Sequence, residues 1–258
     1  LFGLAMKWLG SDTTKKFMAN TADAVATIVR WIVNLAPFGI KGLVFVNVSD
    51  NGLSIFAQYG RLLRLLVGTM LLMALVINPL IIFIYLHRNP YPLVLRCLRE
   101  SGRTAFFTRR SAANIPVNMS LCEKLGLDKD IYSGSIPLGA TINMDGAAIY
   151  MGIAAIFAAE VYGIPMPLDR QLTVILLAVL ASIGSMGVPG AALIMITMVF
   201  TQVGIPLEAI ALVAGVDRIM DMARTTINVL GDATGALFVS KLESDFDPER
   251  GERLAAAE

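Results

Sequence analysis

The chain has 258 residues, 56% hydrophobic and 16% charged, with a formal net charge of +1 and a mean hydropathy of +0.68. A soluble domain carries about 25% charged residues, so lipid rather than water is the main solvent, and the near-zero net charge lacks the clustered basic face that nucleic-acid binding needs. Two cysteines, Cys97 and Cys122, make no disulfide scaffold, and a single histidine, His87, excludes histidine clusters.

Residues 1–10 read as the tail of an apolar segment that begins elsewhere, so a C-terminal fragment is expected. Residues 21–48 set Trp31, Ile32, Leu35 and Phe38 at helical spacing, with a kink expected at Pro37 and Gly39. No charge falls between Arg64 and Arg88. About 20 apolar residues cross a bilayer core, so 65–86 is predicted to span it, bent at Asn78-Pro79. Residues 88–119 have apolar runs too short to span, a polar middle from Thr108 to Asn114, and Pro116 closing it. Either a re-entrant hairpin or an amphipathic cytoplasmic segment fits that pattern.

Residues 131–159 form a further predicted span whose only charge is Asp145. Residues 171–203 carry no charge at all; as one helix they would run near 50 Å, too long for a core of roughly 30 Å. Gly184, Gly187, Pro189 and Gly190 supply the break. Non-helical backbone at that depth persists only where protein buries it or it lines a wet cavity, which predicts a re-entrant hairpin that could serve as an extracellular lid. A last span covers 208–241, and 243–258 is a polar tail. Lys7, Lys15, Lys16, Arg88, Arg96, Arg99, Lys124, Lys129 and Lys241 fall on one side of this topology against Arg61, Arg64 and Arg170 on the other, which makes the first side cytoplasmic.

At about 100° per residue, Asp217, Asp221, Arg224, Asn228 and Asp232 share an arc of roughly 80° with Thr225 at its rim. Such a stripe cannot face lipid, where each central charge costs at least about 2.5–3.5 kcal/mol. One alternative is an internal ion-pair network in which Asp217 and Asp221 hold Arg224. A single arginine still leaves three negative charges over when Asp145 is included. Buried carboxylates either protonate or find cations. Carboxylate, amide and carbonyl oxygens suit a hard cation, which makes Na+ the economical choice and a proton relay its rival. Half-helix ends in broken helices add sites for carboxylates and cations, so an ion-coupled carrier of a small anionic or zwitterionic solute follows. An intramembrane aspartyl protease would need the Gly-x-Gly-Asp turn, and here Val229-Leu230 precede Gly231-Asp232.

Three motifs, Asn143-Met144-Asp145-Gly146, Ser182-Ile183-Gly184 with Gly187-Val188-Pro189-Gly190, and the run from Asp217 to Asp232, resemble those of the dicarboxylate/amino acid:cation symporters, the glutamate transporter family. The stretch from Arg88 to Met119, with the run Arg110 to Met119 in it, is most similar to the bacterial sodium-coupled serine/threonine branch, the last span to the acidic amino acid branch. The resemblance implies an all-α integral membrane protein with spanning helices and two re-entrant helical hairpins. It implies a scaffold part over 1–86 and a mobile transport domain over 87–242, made of hairpin 88–119, span 131–159, hairpin 171–203 and span 208–241. A homotrimer in the lipid bilayer of the inner (plasma) membrane, moving an amino-acid substrate and no nucleic acid, is the implied assembly.

By the same resemblance Asp221 takes the substrate ammonium, Arg224 a side-chain carboxylate and Asn228 the α-carboxylate. Ser111, Met144, Gly187, Val188, Asp217 and Thr225 complete the pocket. One Na+ would sit at Gly139, Asn143, Asn228 and Asp232, a second at Thr141 with Ser182, Ile183 and Ser185, and a third at Asp145 and Asn143. Acidic amino acids are the first choice of substrate, with serine/threonine or a dicarboxylate as the alternatives. Ala147 stands where acidic members carry Thr, the hairpin tip reads Ser111-Ala112-Ala113-Asn114 after an unusual Arg109-Arg110 pair, and Ala192 replaces a frequent Gly.

Overall fold

The computed structural model describes residues 11–51, 54–185 and 191–243, and every regular element among them is helical. Helix α1 (Asp12–Asn51) runs unbroken through Pro37 and Gly39, so the kink expected there does not end the helix. Phe17, Trp31, Leu35, Phe38 and Phe45 on it stay exposed, an apolar surface suited to lipid or another chain.

Helix α2 (Ser54–Leu72) continues through a π-helical turn, Met73–Ile77, into α3 (Asn78–Leu86). Pro79 has no N–H and cannot bond the Leu75 carbonyl. The chain widens instead. The Asn78 N–H reaches back to Met73 O, and the Tyr91 hydroxyl donates to Leu75 O at 3.2 Å. The bend expected at Asn78-Pro79 is thus a π turn with its spare carbonyl satisfied from outside. The stretch Ala57–Leu86 is long and apolar enough to cross a membrane.

Residues 88–119 form a helical hairpin. Its first arm is α4 (Tyr91–Cys97), a π turn Leu98–Gly102 and α5 (Arg103–Thr108); a 3₁₀ turn Ala112–Asn114 leads into α6 (Ile115–Lys124). The chain turns at Arg109, which adopts a left-handed φ of 55°, rare for a residue with a side chain. A buried polar relay joins the arms to the last helix. Asn114 Nδ2 donates to Ser101 Oγ at 2.6 Å, Ser101 Oγ to Asn118 Oδ1 at 3.0 Å, and Asn118 Nδ2 to Val229 O at 3.1 Å. Gly102 lies against Thr226, whose methyl would be 3.2 Å from a Cβ placed there.

The span expected over 131–159 is two helices, α7 (Lys129–Ile142) and α8 (Asp145–Val161). Asn143 and Met144 leave helical geometry, with ψ of 86° and 50°. The break goes with a tertiary contact: the Gly146 N–H is taken by the Asn228 side chain at 2.8 Å, an acceptor a helical turn would not offer. Taken together, Lys129–Val161 still has the length and apolarity to cross a membrane.

Helices α9 (Leu168–Gly184) and α10 (Ala191–Val203) pack on each other, and α9 ends at Gly184, the first of the expected break positions. Residues 186–190, among them Gly187 and Val188, lie outside the described residues. Helix α10 buries Ala192, Ile196, Val199, Phe200 and Val203 at helical spacing. At the centre lies α11 (Ile210–Leu242), which touches α1, α2, α5, α7 and α8 and buries residues along its whole length. Tyr59 donates its hydroxyl to Ala211 O at 3.2 Å, and Arg61 pairs with Glu160 at 2.8 Å, linking α2 to α11 and to α8.

Candidate functional site

Asp217, Asp221, Arg224, Thr225, Asn228 and Asp232 are each 5% exposed or less, so the stripe on α11 faces protein, as its charge cost demands. Its outer part is an ion-pair cluster. Arg224 Nη1 donates to Asp217 Oδ1 at 2.9 Å, and Nη2 and Nε donate to Asp221 Oδ1 at 2.8 and 3.1 Å. The guanidinium lies 4.7 Å from the centroid of the Tyr150 ring on α8, a cation–π contact in a desolvated setting. All three guanidinium nitrogens are therefore engaged, and the cluster carries a net charge of −1. Among the described residues no donor reaches Asp221 Oδ2, since both bonds end on Oδ1.

A narrow cavity of about 20 Å³ lies beside this cluster. The first hairpin contributes Arg109 and Ser111, the break before α8 Met144 and Ala147, the second hairpin Ser185 and Ala192, and α11 Asp221, Arg224, Thr225 and Asn228. Of the residues expected to hold substrate, Ser111, Met144, Asp221, Arg224, Thr225 and Asn228 meet here. Asp217 stands behind Arg224, and Gly187 and Val188 fall outside the described residues. Ser111 Oγ is buried without a hydrogen-bond partner among the described residues. Asn228 Oδ1 accepts from Gly146 N, while its Nδ2 lies 3.2 Å from Met144 Sδ. A thioether is a weak acceptor, so that amide N–H is available for a stronger one.

Arg109 lines the cavity without having been assigned a role from sequence. The Arg109-Arg110 pair was visible there, but only the left-handed turn at Arg109 decides which arginine looks inward.

The inner part of the stripe has, among the described residues, no Lys or Arg paired with its carboxylate. Asn143 Nδ2 donates to Asp232 Oδ1 at 3.1 Å and to Asn228 O at 3.3 Å. A Cβ on Gly139 would stand 2.6 Å from Asp232 Oδ1, so the glycine is what admits the carboxylate. Across Gly231, whose own Cβ would meet Asn143 Nδ2 and Asp145 Oδ2 at 2.5 Å each, the two carboxylates are neighbours. The first and third expected Na+ sets thus converge on one region. Among the described residues no three His, Cys, Asp or Glu side chains gather to hold a metal, so a cation there would draw on amide and carbonyl oxygens as well. The second set is looser. Thr141 is exposed and its hydroxyl is bonded to Leu138 O, Ile183 is 40% exposed, and Ser182 O already accepts from both Ser185 N and Ser185 Oγ.

Over residues 1–242 the chain matches the sodium:dicarboxylate symporter family. It is 54% identical over 257 residues to the serine/threonine transporter SstT of Bifidobacterium adolescentis, covering 99% of this chain and 60% of that protein. It is 48% identical over 244 residues to the serine/threonine transporter SstT of Streptococcus agalactiae, covering 94% and 60%. The chain spans about 60% of the length of these curated relatives. Family and relatives alike are transporters rather than enzymes, and the chain belongs to the sodium:dicarboxylate symporter family.

Proposed function

We propose that this chain carries the substrate and ion sites of a sodium-coupled symporter for serine and threonine. The observation that carries the reading is the pairing of Arg224 with Asp217 and Asp221 beside the Tyr150 face, which engages three of its five N–H donors. The acidic amino acid expected first needs that guanidinium for its second carboxylate. A second carboxylate would compete with Asp217 and Asp221 for that guanidinium, and breaking one of these buried contacts costs about 3–5 kcal/mol. The cluster's net −1 also repels a second carboxylate. An ammonium finds Asp221 Oδ2, an α-carboxylate finds Asn228 Nδ2, and the hydroxyl of a small side chain is left for Ser111 Oγ. The names of the similar relatives point to the same substrates.

In this reading the two helical hairpins, 88–119 and 171–203, are re-entrant. They move with 131–159 and 208–241 as a transport domain against a scaffold that includes residues 1–86, in a trimer within the cell membrane. Na+ is cargo, held by Asp232, Asn143, Asn228 and Gly139 and by Asp145 and Asn143, with Thr141, Ser182, Ile183 and Ser185 as the further set. The broken helix at Asn143-Met144 supports the ion sites, because unwound backbone turns carbonyls and N–H groups toward a buried site near the bilayer midplane. The test is sodium-driven uptake by the full-length protein in proteoliposomes, serine and aspartate competing. Serine should win by a wide margin. Aspartate displacing serine at equal concentration would return the acidic reading.

A further inference from the structure

The two arms of the first hairpin enclose an open groove of about 730 Å³ that shares no lining residue with the substrate pocket. Its lining is ordered along its length. On the first arm Arg99, Arg103 and Phe107 follow one another at intervals of four residues, and on the second Lys124, Ser120 and Pro116 run beside them. The cations therefore cluster toward the hairpin base, and the apolar groups, Phe107 and Pro116, stand toward its tip. Phe107 is 73% exposed.

The charges do not balance. Glu100 is the acidic residue in the groove, and it is shared between Arg96 at 2.8 Å and Lys124 at 3.9 Å. Among the described residues Arg99 and Arg103 have no acidic partner. The base of the hairpin, with Arg88, Arg96 and Lys124 near it, is the cytoplasmic end if the membrane reading above holds. Basic pockets between helices on that side suit anionic lipid headgroups, at about 1 kcal/mol for each Lys or Arg near the surface.

We infer that this groove binds the phosphate headgroup of an anionic phospholipid from the cytoplasmic leaflet, held by Arg99, Arg103 and Lys124, with an acyl chain lying over Phe107 and Pro116. The polarity gradient favours a lipid over a free anion. Inorganic phosphate would use the basic end alone and leave the apolar end and most of the volume unexplained. The inference rests on the membrane reading but not on the choice of substrate.

The test uses full-length protein taken from vesicles of equal parts phosphatidylglycerol and phosphatidylcholine, with retained lipid counted by native mass spectrometry. Phosphatidylglycerol should be retained selectively, and Arg99→Gln with Arg103→Gln should lower its retention roughly thirtyfold, about fivefold for each charge. Phe107→Asn should weaken retention too, whereas Arg170→Gln, on α9, should not. Lys124→Gln, expected to cost about fivefold, serves if the double variant does not fold. Equal retention in the unmodified protein and in the groove variants overturns the inference. So does displacement of phosphatidylglycerol by millimolar inorganic phosphate with no effect of Phe107→Asn, which would make the groove a free-anion site. A serine-induced thermal shift measured on the same samples keeps the two readings apart: its absence alongside groove-dependent lipid retention counts against the substrate, not the groove.

Discussion

The two ends of the polar stripe on α11 solve the problem of buried charge in opposite ways. Around Arg224 the protein supplies its own counter-charge: two aspartates and an aromatic face surround one guanidinium. Two turns further on, Asp232 and the neighbouring Asp145 have asparagine amides and glycine backbone about them, and among the described residues no Lys or Arg. A pair that is matched internally discriminates by what it refuses. A carboxylate pair that is not matched can protonate or take a cation from solution, and under the proposed function the binding of Na+ would thereby become a condition for a stable site.

The largest effect is expected at the unmatched end. Asp232→Asn removes the carboxylate beside Gly139 and Asn143, and sodium affinity should fall at least roughly a hundredfold, the scale of about 3–5 kcal/mol for breaking a buried ion contact. Titrating sodium against serine binding measures it. A midpoint equal to that of the unmodified protein would separate Asp232 from the ion and dissolve the contrast between the two ends.

The two ends also depend on one close approach. Gly146 sits where any Cβ would run into the backbone carbonyl of Arg224, and its N–H holds Asn228. Gly146→Ala must push α8 away from α11, at a cost of about 1–3 kcal/mol. Thermal unfolding of the full-length protein should show that loss together with weaker binding of both serine and sodium. A variant with lowered stability but unaltered binding of both would show that α8 tolerates the shift and that the register between the ends is not set at this glycine.

Much of this arrangement could be read along the sequence. The charge-free gaps located α3, α9 and α10, and the periodicity of five polar residues put them on one buried face, because both signals depend only on helix geometry. The break at Asn143-Met144 was hidden. Its cause, the capture of Gly146 N by Asn228, joins residues 82 positions apart. The partner of Arg224 is left open by the sequence for a related reason. On a helix, Arg224 reaches Asp221 one turn back and Asp217 two turns back, but the same geometry leaves it free to point at a substrate, and only the packing of Tyr150 fixes the choice. An arginine free to point at substrate favours an acidic amino acid, and one held by Asp217 and Asp221 favours a neutral one. Arg109 escaped because the conformation that turns it inward is one its side chain disfavours.

At the matched end, Asp217→Asn sharpens the argument about refusal. It keeps the shape but takes one counter-charge from Arg224 Nη1, freeing that edge for a substrate carboxylate. Hydrogen bonds to charged groups contribute about 1.5–3 kcal/mol, so aspartate should gain roughly ten- to hundredfold against serine in uptake competition. No change in the aspartate to serine ratio would mean that Arg224 is not what excludes acidic substrates.

The smallest expected effect is at Ala147, which faces the same cavity from α8 and is 2% exposed. The cavity beside it measures about 20 Å³, room on the scale of one water molecule. Ala147→Thr adds a methyl and a hydroxyl to that wall. Serine and threonine differ by one methyl, and a tight wall resolves them better than a loose one, with about tenfold at the low end for one methyl or methylene group. Threonine uptake should therefore fall about tenfold more than serine uptake. The added hydroxyl alone should not admit aspartate, because the guanidinium remains bonded to Asp217 and Asp221. Measuring all three substrates in one variant separates volume from charge. A threonine to serine ratio that stays constant would place the side chain of the substrate away from α8, and a rise in aspartate uptake would show that the hydroxyl at this position, rather than the state of Arg224, decides between neutral and acidic substrates.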